Sequence, residues 1–166
     1  MEVLFLLITN YKDGLLEKQG FNFDSKFIIS CNEGEKNKLT LSIKENPNYM
    51  KDFFKPEYHM QQSCAKISNI SAIVGENGAG KTSVLDYIKD NVVYSEMNRE
   101  EDTPFLFILR EHANANEKCK HHIFYHPSFE LSIIGDFDYE SKSTSYREFQ
   151  DIMKFTKVIF FSNIFD

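Results

Sequence analysis

The chain is 166 residues long, 42% apolar and 27% charged, with a formal net charge of −6. That is enough apolar chain for one domain with a sizeable core, so the composition excludes a disordered polypeptide, and the acidic balance gives no sign of a broad basic face for nucleic acid. Sixteen Phe against no Trp point to a core filled by phenylalanine, and three scattered cysteines (Cys31, Cys64, Cys119) form no disulfide framework and fit a reducing compartment.

The opening run Glu2-Val3-Leu4-Phe5-Leu6-Leu7-Ile8 reads as a buried strand over 2–9. It does not read as a secretory signal: a basic n-region is lacking, Glu2 is acidic, and Asn10-Tyr11-Lys12-Asp13 follows too soon. No stretch is long enough to span a bilayer, so a cytoplasmic location and no membrane partner are expected. Phe21, Phe23, Phe27, Ile28 and Ile29 mark a second strand region, with Asp24-Ser25 as a bend inside it. Asn32 to Lys38 is turn-like, and Leu39-Thr40-Leu41-Ser42-Ile43 alternates strictly as a third strand. The simplest arrangement of residues 1–43 is an antiparallel meander. Residues 44–66 read as an irregular insertion: Asn46-Pro47-Asn48 signals a turn, Lys55-Pro56 opposes a helix, and Met50, Phe53 and Phe54 are expected to pin the segment to the body.

Within 67–94, the apolar run Ile70-Ser71-Ala72-Ile73-Val74 predicts a buried strand over 68–74, and a helix follows over about 81–93. On that helix Val84, Leu85, Ile88 and Val92 share one face at helical spacing, which leaves Asp86 and Asp90 on the wet face. Residues 95–166 open with a charged linker, Ser95 to Asp102. They continue through strand-like runs at 105–109, 122–125 and 129–134, a short helix within 144–154, and a final buried strand, Val158-Ile159-Phe160-Phe161.

Between the 68–74 strand and the helix lies Gly75-Glu76-Asn77-Gly78-Ala79-Gly80-Lys81-Thr82-Ser83, which fits G-x-x-x-x-G-K-[ST] at every fixed position. The residue types suit an anion. Glycines let the backbone approach a ligand closely, so its N–H groups form a nest. The helix start adds unpaired N–H groups and the positive end of its dipole. Lys81 supplies a full charge for β- and γ-phosphates, and Thr82 a hydroxyl for Mg²⁺. The bland alternative is a glycine-rich turn capping an ordinary helix. The loop by itself names no function. About three strands precede it, and the guanine-reading N-K-x-D is absent, the nearest text being Asn116-Glu117-Lys118-Cys119. Both facts count against a small kinase or a GTPase.

The segment Ile73 to Leu85 resembles the Walker A segment of ABC-type ATPases, in the SMC- and RecF-like branch that includes AAA-family ATPases of bacterial defence systems. Ile8-Thr9-Asn10-Tyr11-Lys12 resembles the strand-then-Asn-Phe-Lys/Arg opening of that branch. The resemblance spans roughly the first ninety residues. It implies an α/β P-loop NTPase core of the ABC-ATPase-head type with flanking antiparallel strands, and ATP with Mg²⁺ as ligands. It places Gly75, Glu76, Asn77, Gly78, Ala79, Gly80, Lys81, Thr82 and Ser83 around the nucleotide, with Thr82 on the metal. Glu76 and Asn77 would face the nucleotide or a partner subunit; solvent exposure explains them equally well. Asn10 and Lys12 would lie beside the sugar or phosphates; taken alone they are a polar strand end.

The departures from that family are as informative. An ABC-type head carries a Ser-Gly-Gly signature, yet after Gly80 this chain has a single glycine, Gly135. A Walker B strand ends in Asp followed by Glu. Leu131 to Asp136 ends in Asp but has Phe137 next, and Gly135-Asp136 reads more simply as a turn. Val158 to Phe161 leads instead into Ser162-Asn163, and by the resemblance Ser162 or Asn163 would touch the metal. Between Lys81 and the end there are 166 − 81 = 85 residues, too few for arms, signature and Walker B. The expectation is an incomplete head, an N-terminal portion with negligible hydrolysis alone. Its expected partners are a second head or a C-terminal ATPase portion, with DNA or a nuclease engaged through the whole assembly. Two alternatives stay open: a non-catalytic ATP-sensing interaction module, and a small phosphotransferase using Asp136. The Cys119, His121, His122 and His126 cluster allows a metal site but has no fourth ligand at compelling spacing and reads as a polar strand edge.

Overall fold

The computed structural model describes residues 1–51, 53, 69–92, 104–111 and 119–153. It is a mixed α/β architecture. The strands are β1 (Glu2–Tyr11), β2 (Leu16–Asn22), β3 (Phe27–Glu33), β4 (Lys38–Glu45), β5 (Phe105–Glu111), β6 (Lys120–Tyr125), β7 (Glu130–Ile134) and β8 (Glu140–Ser143). The helices are α1 (Lys81–Val92) and α2 (Tyr146–Met153). A five-stranded sheet runs β2-β1-β5-β6-β8, and a three-stranded sheet runs β3-β4-β7. Neighbours pair antiparallel except β4 with β7 and β6 with β8, which are parallel.

Side-chain alternation explains the layering. From β1 and β5, Phe5, Leu7, Leu106 and Ile108 meet Phe27, Ile29, Leu39, Leu41 and Ile43 of the smaller sheet. Their neighbours Leu6, Ile8, Phe105, Phe107 and Leu109 point the other way, onto Val84 and Tyr87 of α1 and Phe149 and Met153 of α2. Strands covered on both faces read as continuous apolar runs, which is why 2–9 and 105–109 carry so strong a signal. Each fully buried Phe or Leu contributes about 1.5–3 kcal/mol.

Several expectations are corrected. The single bent strand at 21–29 is two strands, β2 and β3, in different sheets, with the bend at Asp24 between them. The meander is therefore split: β1 lies between β2 and β5, while β3 and β4 belong to the other layer. The carboxylate of Asp24 explains the sharpness of the bend. Its Oδ1 accepts from Lys26 N at 2.7 Å, and its Oδ2 takes the Arg110 guanidinium from β5. Arg110 also reaches Glu2 at 3.1 Å, and its Nε donates to His121 Nε2 at 3.4 Å. A buried carboxylate needs such partners, and none was legible locally.

The predicted strand at 68–74 is not formed: residues 69–74 belong to neither sheet, and Val74 is 90% exposed. An apolar run states a demand for burial, but a strand also needs a main-chain neighbour. On α1 the buried face is Val84, Tyr87 and Asn91, while Leu85 is 42% exposed. Met50 and Phe53 are largely exposed. The charged linker, Phe54, Cys64, the Val158–Phe161 strand, Ser162 and Asn163 lie outside the described residues.

Candidate functional site

The 75–83 segment closes into a compact loop on the start of α1. Ala79 N donates to Glu76 O at 3.2 Å, turning the chain at Asn77-Gly78. Gly78 and Gly80 have φ of 82° and 81°, angles that L-residues adopt only with strain. The first helical bond is Val84 N to Gly80 O at 3.1 Å, so the N–H groups of Lys81, Thr82 and Ser83 have no partner among the described residues. These are the orphan donors of a helix start, gathered at the positive end of its dipole. Lys81 bends back over the loop: its Nζ donates to Gly75 O at 2.7 Å and to Glu76 O at 2.6 Å. Its charge thus sits at the loop. Thr82 is exposed at the same end, whereas Ser83 is buried.

The β1–β2 hairpin clasps this helix. Its turn uses Lys12, Asp13 and Gly14 at positive φ, closed by Leu15 N to Lys12 O at 3.2 Å. Lys12 Nζ meets Asp86 Oδ2 at 2.9 Å, which raises the Lys12 pKa, chiefly through that hydrogen bond. Tyr11 Oη donates to Asp90 Oδ2 at 2.8 Å, and Leu16 packs where a side chain on Gly80 would stand. Asp86 and Asp90 are thus half-buried and bonded, not simply wetted. Of the pair expected beside a nucleotide, Lys12 is held on the α1 flank by Asp86. Asn10 turns inward on its own turn, its Oδ1 accepting from Gly14 N at 3.0 Å.

Beside the loop a trough of ≈480 Å³ has apolar walls from Val3, Phe23, Ile73, Leu85 and Ile88, and among the described residues Lys81 is its one charged lining residue. Asn69 and Ser71 fasten the approach to the loop, their side chains donating to Phe23 O at 2.6 and 2.8 Å. Neither role was readable from sequence, because both rest on the bend at 23–26 meeting residues 46 to 48 positions later.

The donors present fit a phosphate chain: orphan amides, a lysine ammonium and glycine angles on one loop. For a cation the described residues offer the Thr82 hydroxyl at the same end, to which phosphate and water oxygens would add. Among the described residues no group of three or more His, Cys, Asp or Glu stands ready to hold a metal. The histidines are engaged singly: His121 Nδ1 with Asp138 O at 3.1 Å, His122 with Glu111 at 3.1 Å, and His126 with Ser128 at 2.8 Å. His126 also lies past the end of β6, so it does not share a strand face with His122. Asp136 follows β7 in the sheet on the far side from α1. A side chain on the preceding Gly135 would collide with the Ile43 carbonyl, as befits a close turn rather than the end of a Walker B strand.

No helix among the described residues is long and apolar enough to cross a membrane. No protein-family model, curated protein or solved structure matches the chain.

Proposed function

We propose that the chain binds ATP with Mg²⁺ at the 75–83 loop, as the N-terminal part of an ABC-type, SMC- or RecF-like ATPase head. The observation that carries this is the convergence at one helix start of three N–H groups with no partner among the described residues, the Lys81 ammonium and two positive-φ glycines. The loop amides and Lys81 bind and neutralise the phosphates, and Thr82 contributes an oxygen toward the cation. Bound Mg²⁺ would supply charge neutralisation at the phosphates. Hydrolysis needs a positioned water and a signature from elsewhere, and this sequence has no Gly-Gly pair beyond Gly80. DNA movement or activation of a nuclease by a completed assembly is proposed by resemblance alone.

The alternative of an ATP-sensing interaction module shares the site and differs only in lacking turnover in any assembly. A phosphotransferase using Asp136 is disfavoured, since that residue lies across the five-stranded sheet from α1. Phosphate release with ATP and Mg²⁺ separates these readings. The chain is expected to bind nucleotide and release no phosphate. Turnover that Asp136→Asn abolishes would establish the phosphotransferase and overturn the proposal.

A further inference from the structure

The β1–β2 hairpin touches α1 along the length of the helix. Tyr11 Oη meets Asp90, Lys12 Nζ meets Asp86, and Leu16 Cδ2 stands 3.1 Å from the point a side chain on Gly80 would occupy. The two polar contacts are partly wet. Leu16 is different: it is 2% exposed, shares a buried cluster with Val84 and Tyr87, and packs against the last glycine of the loop. Gly80 is where the loop becomes a helix. Its φ is 81°, and its carbonyl accepts the first helical bond, from Val84 N at 3.1 Å. Leu16 is itself fastened. It pairs with Tyr11 across the hairpin, and the turn between them is closed by Leu15 N to Lys12 O at 3.2 Å and by Gly14 N to Asn10 Oδ1 at 3.0 Å.

We infer that Leu16 is a positioning residue for the phosphate loop: its isobutyl group bears on Gly80 and holds the Lys81, Thr82 and Ser83 N–H groups in the arrangement an incoming phosphate meets. This deepens the nucleotide reading and rests on it. The physical reason is preorganisation. A backbone nest binds an anion well when its amides converge before the ligand arrives, because ordering them on binding subtracts from the affinity. Gly75, Gly78 and Gly80 make the loop pliable, since glycine leaves any one backbone angle at little cost. Apolar carbon against Gly80 restricts the glycine at the helix junction, because close-packed interior side chains yield little. Leu16 touches no phosphate; it acts through the backbone of Gly80.

Matched truncations in the full chain test it. Leu16→Val shortens the side chain and keeps a residue that suits a strand, so the fold is retained. Leu41→Val makes the same change at a fully buried site of β4, in the layer on the far side of the five-stranded sheet from α1. Both are expected to lower Tm. Only Leu16→Val is expected to weaken binding of ATP with Mg²⁺ in calorimetry, by about fivefold or more. Leu16→Met, which restores the reach toward Gly80, is expected to bind within about twofold of wild type. Without nucleotide, Leu16→Val is expected to speed hydrogen exchange at the Val84 amide by about threefold or more relative to Leu41→Val. Four results each overturn the inference: unchanged ATP affinity in Leu16→Val, an equal loss in Leu41→Val, an equal loss in Leu16→Met, or a Val84 amide that exchanges alike in the two truncations. The wild-type titration keeps the two readings apart. Intact ATP binding in wild type and Leu16→Val alike removes the positioning role and leaves the nucleotide site. No ATP binding to wild type removes the site and the positioning role with it.

Discussion

The ammonium of Lys12, in the turn after β1, meets the Asp86 carboxylate of α1 at 2.9 Å. The first strand of the chain is thereby tied to the helix that carries the phosphate loop, alongside the Tyr11–Asp90 bond. Both ends of the pair are partly wet, so its effect on stability is small and salt-sensitive. Asp86→Asn should lower Tm slightly in low salt and not at all in high salt. Because the pair raises the Lys12 pKa, its stabilisation is complete below the ordinary lysine value of 10.5 and fades as the pH rises through the folded-state value. Melting curves against salt and pH check both statements.

His121 stands between Phe27 and Phe137, with Arg110 at one ring nitrogen and the Asp138 carbonyl at the other. Burial, first, and then the Arg110 charge hold its pKa below 6.5, against the opposing Asp138 carbonyl and Asp24 carboxylate. The unfolded chain takes up a proton before the folded one, so stability is intact above about pH 6.5 and is lost as the pH falls below it. His121→Asn, whose amide nitrogen can still donate to Asp138 O, should flatten the dependence of Tm on pH between about 7 and 5. An unchanged slope would assign the acid sensitivity to other groups.

Phe149 is the most deeply buried side chain of helix α2, and Ser145 caps the helix start. Phe149 is fully buried and stacks on Phe107 at 4.9 Å between centroids. The Ser145 Oγ accepts from Glu148 N at 3.3 Å, and the Ser145 N–H donates to Glu148 Oε2 at 3.1 Å. Phe149→Ala should cost about 3–5 kcal/mol and Ser145→Ala about 1 kcal/mol in denaturant titration.

What was legible in the sequence follows from what each segment does locally. β1, β4 and β5 announce themselves because their side chains meet the core on one or both faces. The 81–92 helix and its loop are visible because glycine, lysine and threonine spacing serves one local shape. β2 and β8 were missed: Glu17-Lys18-Gln19 and Glu140-Ser141-Lys142-Ser143 are exposed edge strands, formed by pairing with β1 and β6 rather than by apolar pattern. The Arg110–Asp24 bond and the parallel β4–β7 pairing join distant positions, and local sequence carries no mark of them. The run at 70–74 misled for the opposite reason: its composition demands a strand's surroundings, and no main-chain neighbour for it is present among the described residues.

Gly78 and Gly80 offer a graded probe of the loop. A methyl group at Gly78 meets nothing within 4 Å, so Gly78→Ala adds only the strain of φ 82°. At Gly80 the methyl also stands 3.1 Å from Leu16 Cδ2. Each should weaken nucleotide binding, Gly80→Ala more, with roughly 1–2 kcal/mol of strain at either position as the common part. Binding that ranks the other way would move the ligand off this loop.

Calorimetric titration of ATP with Mg²⁺ into the wild-type chain and Lys81→Ala bears most directly on the site. Saturable binding is expected, falling by about tenfold or more when the ammonium over Gly75 and Glu76 is removed. Equal affinity in the two proteins, or no binding to the wild type, would contradict it.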